Sequence, residues 1–96
     1  MITEKAFMQQ VIDLAHLHHW KVYHPFDSRR SCPGFPDLVL CHPTRGFLMA
    51  ELKTERGRLS PAQMEWMMAL ANAGIECHMW RPGDFDAIVQ RLAVAA

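Results

Sequence analysis

The chain is 96 residues long, half of them hydrophobic, and its ten Lys and Arg balance ten Asp and Glu. That length gives one domain, residues 1–96, around one core, and the neutral total argues against a protein that coats DNA through a global positive field. No apolar run can span a bilayer, no signal-peptide core opens the chain, and three cysteines without Cys-x-x-Cys spacing suggest neither a disulfide framework nor a zinc ribbon, so a cytoplasmic protein is expected.

In chain order, Thr3 is placed to cap a helix over about Glu4 to His18, with Phe7, Met8, Val11, Ile12 and Ala15 at helical spacing. Glu4 falls on the inward side of the first turn, where a carboxylate also complements the helix dipole. His16 and His19 lie one turn apart, but nothing is spaced to complete a zinc site with them, and a helix C-terminus favours histidine for its own reasons. Trp20 to His24 alternates as a short strand and stops at Pro25. The loop that follows holds Ser28, Arg29, Arg30 and Ser31, either a solvated turn or a phosphate grip made of two guanidinium groups and two hydroxyls.

The stretch from Gly34 to Lys53 carries the chemistry. Leu38 to Cys41 reads as a strand, His42-Pro43-Thr44-Arg45-Gly46 as a tight return, and Phe47 to Lys53 as a second strand. Because strand side chains alternate, Glu51 and Lys53 share a face, and a hairpin turning at 42–46 brings Asp37 beside Glu51. Two carboxylates about 4 Å apart repel by roughly 4 kcal/mol at an effective dielectric near 20, a large share of a small domain's stability. A divalent cation with hard-oxygen preferences, Mg²⁺ or Mn²⁺, removes that repulsion, and the Lys53 ammonium stands ready to orient an attacking water or offset charge on a phosphorane-like transition state.

After Lys53, Thr54 to Arg58 is a loop, with Arg56 and Arg58 adding to a local basic rim around the acids. Ser60-Pro61-Ala62-Gln63 is a strong helix start, with Ser as N-cap, Pro at the first helical position and Gln closing a capping box. This helix is expected to end at Ala73 with Gly74 at its C-cap, and Met64, Trp66, Met67, Met68, Leu70 and Ala71 give it more apolar surface than one packed face needs, a surplus that suits a homodimer contact. Ile75 to Trp80 reads as a fourth strand, and Asp84 as the N-cap of a last helix bearing Phe85, Ile88, Val89 and Leu92.

Pro36-Asp37 followed by Glu51-x-Lys53 resembles the Pro-Asp…(Asp/Glu)-x-Lys motif of restriction-endonuclease-like nucleases. With Ser28-Arg29-Arg30-Ser31, Gly34-Phe35, Gly57-Arg58-Leu59-Ser60, Gln63 and Ala73-Gly74, the chain from about Glu4 to Leu92 is similar to the virus-type replication-repair nuclease (VRR-NUC) domain. The resemblance implies an α/β fold of order α-β-β-β-α-β-α, with a mixed four-stranded sheet flanked by helices, and the same order follows from the residue patterns above. It implies a metal-dependent DNA endonuclease or exonuclease without an organic cofactor, in which Asp37, Glu51 and the Leu52 carbonyl hold Mg²⁺ or Mn²⁺, Glu4 is a candidate further acid, Lys53 is catalytic and Gln63 contributes to the catalytic region. The capping box explains Gln63 equally well. Stand-alone phage members imply a homodimer acting on branched DNA, as junction resolvases do. The rival reading is a non-catalytic module that keeps this fold to bind nucleic acid, which the two retained acids oppose because they repel phosphate.

Overall fold

The computed structural model describes residues 1–25 and 32–95. Helix α1 spans Glu4–Leu17 and is capped by the Thr3 hydroxyl, which accepts from the Ala6 N–H at 3.1 Å. Strands β1 (Lys21–Tyr23), β2 (Leu38–His42) and β3 (Gly46–Leu52) form an antiparallel meander, and β4 (Cys77–Trp80) adds to β3 in parallel, so the four-stranded sheet is mixed and runs β1-β2-β3-β4. The parallel step requires a crossover, and α2 (Pro61–Asn72) supplies it. Helix α3 (Phe85–Leu92) closes the chain.

Alternation along the strands decides the two faces. Leu38 and Leu40, then Leu48, Ala50 and Leu52, point to one side and are fully buried against Phe7, Val11 and Ala15 of α1 and Ile88 and Leu92 of α3. The helix period of α1 is the reason: Phe7, Val11, Ile12 and Ala15 fall on one stripe. The other sheet face carries Tyr23, Phe47, Met49 and Glu51, and α2, none of whose own residues is fully buried, crosses here. Met64 and Met68 of α2 stay half or more exposed.

The hairpin between β2 and β3 is tighter than the expected 42–46 return, because His42 and Gly46 still pair. The buried His42 ring makes this possible: its Nδ1 accepts from the Thr44 and Arg45 N–H groups, each at 3.1 Å, and so closes the turn from inside. Gly74 lies one residue beyond the C-cap Ala73 with φ of +80°, the left-handed position that ends α2.

Asp84 stands at the N-cap position of α3, as the sequence suggests, but its side chain makes no cap hydrogen bond there; Pro82–Asp84 forms a 3-10 turn ahead of the helix, and Asp84 Oδ2 accepts from the Arg81 N–H at 2.9 Å. Proline fixes the first φ of that turn and starts it two residues earlier, so the Asp84 side chain turns back to the Arg81 amide.

The hairpin-turn end of the sheet is stitched by charge. Arg91 of α3 grips Glu76 with two bonds, Nε to Oε2 at 2.8 Å and Nη2 to Oε1 at 3.0 Å, and His78 Nε2 meets Glu76 Oε2 at 2.6 Å. The Arg91 guanidinium also lies 5.3 Å over the Trp20 ring and donates to the Arg45 carbonyl, while Arg45 donates to the Arg91 carbonyl at 2.7 Å. The Arg91 guanidinium and then the His78 ring hold the Glu76 carboxyl down at about 2, against the opposing effect of burial.

Candidate active site

At the opposite end of the hairpin, Leu38 pairs with Ala50, so Asp37 comes opposite Glu51 one step beyond the ladder. Fully buried Pro36 precedes Asp37, and Asp37 Oδ2 accepts the Leu52 N–H at 2.8 Å. That bond fixes one carboxylate on the backbone of the residue whose carbonyl was expected to assist a cation.

Glu51 is 2 % exposed. Burial, then the hydrogen-bonded and like-charged Asp37 carboxylate, push its carboxyl up to about 9; the Lys53 ammonium pulls it the other way and Glu4 adds a further push. The pair cannot ionise fully on its own. Lys53 lies just past β3, half-buried, its backbone N–H donating to the Trp80 carbonyl at 3.0 Å.

Gln63 joins α2 to this pair. Its Oε1 accepts the Ser60 N–H at 2.8 Å and Ser60 Oγ accepts the Gln63 N–H at 3.2 Å, completing the capping box, while its Nε2 donates to Glu51 Oε1 at 3.0 Å. One end of the amide thus closes the cap while the other contacts Glu51.

The loop before Asp37 is packed against the same turn of helix. Gly34 has φ of +83°, and a Cβ on it would sit 2.4 Å from the Ala62 carbonyl carbon and oxygen. Only glycine permits that approach, from both its φ and its bare Cα. Phe35 then meets Trp66 edge to face, ring centroids 5.1 Å apart. Met8, Pro25, Cys32, Gly34, Phe35, Asp37 and Gln63 line a cleft of about 140 Å³ that opens onto the Asp37 side of the carboxylate pair. A larger hollow of about 400 Å³, between Cys32, Pro33 and the Ala62, Glu65, Trp66 and Ala69 face of α2, lies beside the pair rather than at it.

The remaining site residues divide. Glu4 is exposed in the first turn of α1, and its charge reaches Glu51, but among the described residues no three His, Cys, Asp or Glu side chains gather as a metal cage. Glu4 therefore stands off from the Asp37–Glu51 pair. Arg56 and Arg58 are exposed on the loop between β3 and α2, which Arg81 ties down by donating Nη1 to the Thr54 carbonyl at 2.6 Å. Ser28, Arg29, Arg30 and Ser31 lie outside the described residues. Gly34 and Phe35 stand in the motif read from sequence, but nothing local shows that they dock on α2. Arg81 carried no sequence signal at all.

Comparison with known proteins bears on the family and the fold. The VRR-NUC domain family model matches residues 3–81. A curated relative, the Fanconi-associated nuclease 1 homolog of Schizosaccharomyces pombe, is 35% identical over 57 residues, covering 55% of this chain and 8% of its own length. The chain therefore spans under a tenth of that relative. A solved structure named VRR_NUC domain protein superposes with a TM-score of 0.74 at 19% identity, over 96% of this chain and 88% of the other, a likeness of fold. Among the described residues no helix is long and apolar enough to cross a membrane.

Proposed function

From the premise that the chain belongs to the VRR-NUC domain family, we propose that it is a divalent-metal-dependent DNA nuclease that hydrolyses phosphodiester bonds and prefers branched DNA. One observation carries the reading: a nearly inaccessible Glu51 is set against Asp37 where neither gains from the other's charge. Residues that cost stability and complete no core contact are kept for what they bind.

The donor set fits a hard cation. Asp37 and Glu51 supply carboxylate oxygens and Leu52 a backbone carbonyl, all at the open end of one hairpin, with no thiolate or imidazole among them. When bound, Mg²⁺ or Mn²⁺ would neutralise the pair and polarise the scissile phosphate. The chain's own residues do the rest. Asp37 is held by the Leu52 amide, Glu51 by the Gln63 amide, and Lys53 presents an ammonium that orients the attacking water or offsets charge on the pentavalent phosphorus. Arg56 and Arg58, together with Ser28, Arg29, Arg30 and Ser31, serve the DNA backbone. Glu4 tunes the pair through its charge and remains a candidate further ligand.

The exposed methionines of α2 and the open sheet face bearing Tyr23 and Phe47 support a homodimer, which would offer two sites to the two strands of a junction. The cytoplasm, of a phage host if the chain is phage-encoded, is the expected place of action.

The test is cleavage of end-labelled four-way junction, flap and linear duplex DNA with Mg²⁺ or Mn²⁺, with Asp37→Ala beside the wild type. Metal-dependent cutting that vanishes in Asp37→Ala and favours the junction at paired positions is the expected result. DNA binding without cutting by either protein would sink the nuclease and leave a binding module.

A further inference from the structure

Helix α2 has no fully buried residue; Ala62, Gln63, Trp66, Met67 and Leu70 form a half-buried stripe, and the helix packs against β4. Three contacts tie down its active-site end: Gly34 against the Ala62 carbonyl, Phe35 against Trp66, and Gln63 against Glu51. The third has a directionality that the others lack. A glutamine amide presents an acceptor at one end and two donors at the other. The Ser60 N–H can only donate, so it takes Oε1 at 2.8 Å. The NH₂ end is then the one that faces Glu51 Oε1, at 3.0 Å. Turned over, the amide would set two donors against each other at Ser60 and two acceptors at Glu51, losing both hydrogen bonds together.

We propose that the N-terminal capping box of α2 is a positioning device for the cation site: the Ser60 amide fixes the Gln63 side chain, and Gln63 in turn fixes Glu51, leaving the second Glu51 oxygen for the metal. Ser60 and Gln63 are positioning residues, acting through Glu51 rather than on substrate. A feature normally read as helix stabilisation thus sets the reach of a ligand from a different element, and it couples the docking of α2 to the geometry of the site. The inference rests on the metal-site reading above.

Two substitutions separate positioning from capping. Gln63→Glu keeps the capping box, since glutamate closes it as glutamine does, but it has no N–H for Glu51. Gln63→Met loses both contacts. If Gln63 positions Glu51, both variants cut DNA at least about tenfold more slowly at saturating Mg²⁺, and Gln63→Met binds Mg²⁺ about 10- to 100-fold more weakly by calorimetry. Thermal midpoints of the metal-free proteins fall in both variants, in Gln63→Glu because a third carboxyl is set against Glu51 and Asp37 and in Gln63→Met by several degrees through loss of the cap. If the capping box does nothing more than start the helix, Gln63→Glu cuts like wild type, and the proposal is overturned.

A readout free of catalysis comes from the Gln63 Nε2 protons in ¹⁵N-labelled, metal-free protein. They are expected as a dispersed pair that moves on Mg²⁺ addition and collapses to solvent-like positions in Glu51→Ala. Solvent-like positions in the wild type would also overturn the proposal. A wild type with dispersed Gln63 protons that neither binds Mg²⁺ nor cuts would overturn the metal-site reading, and the proposal with it, a pattern distinct from the failure of positioning alone.

Discussion

Two glutamates at opposite ends of the same sheet have opposite fates. Glu76 lies beside β4 at the hairpin-turn end, where a two-pronged guanidinium and an imidazole meet it, and its carboxyl is held at about 2. Glu51 lies at the other end of β3, where it meets a second carboxylate and an amide, and its carboxyl rises to about 9. The fold satisfies one acid with cations from its own chain and sets the other against a second acid, with the Lys53 ammonium pulling the opposite way. Under the proposed cation site, charge that serves stability is paired internally, and charge that serves binding awaits its counterion.

The strongest way to break this contrast is Glu51→Gln. It should lower cleavage by about a thousandfold or more, because a neutral amide neither holds a cation nor restores the lost charge. The same change should raise the metal-free melting point, since it removes a carboxyl that the fold must keep protonated, a gain of about 1–2 kcal/mol near neutral pH. A variant that still cut, or that melted lower, would place Glu51 with Glu76 as a structural acid.

Metal itself gives the next largest shift. At about 100 times its dissociation constant Mg²⁺ should stabilise the wild type by about 2.7 kcal/mol. Thermal melts should show no such shift in Asp37→Ala. For Glu76→Gln the expected loss is smaller, about 1 kcal/mol, because the Glu76–Arg91 pair is partly exposed to solvent. The urea midpoint reads it, while Mg²⁺-dependent cleavage at moderate temperature should hold.

The pH dependence of the metal-free protein carries both acids with opposite signs. Glu51 keeps its proton when folded and releases it from the ordinary value of 4.5 upward when unfolded, so stability should fall as pH climbs from about 4.5 toward 9. Glu76 is ionised in the fold down to about 2, so its contribution is present above 4.5 and lost as pH falls from 4.5 to 2. Melts across pH should lose the alkaline slope in Glu51→Gln and the weaker acid slope in Glu76→Gln. Unchanged slopes in the two variants would remove the distinction between the two ends.

The sequence by itself determined the hairpin and what it joins. Strand alternation and a run of turn formers are local, so the meeting of Asp37 with Glu51, and the place of Lys53 just beyond, follow from counting residues in a 20-residue stretch. Ser60-Pro61-Ala62-Gln63 was legible for the same reason, as a signal confined to one helical turn. Only the tertiary structure decided where that turn sits. Gln63 reaches Glu51 from a different element, Gly34 lies against the Ala62 carbonyl, and Arg91 closes on Glu76 from fifteen residues away. Such contacts depend on how α2 and α3 settle on the two faces of the sheet, and no periodicity of 2 or 3.6 encodes that. The turned-back Asp84 and a helix rich in Met and Trp that fully buries none of them belong to the same class. Local pattern fixed which residues could meet along the chain, and the packing of separate elements fixed which of them act together.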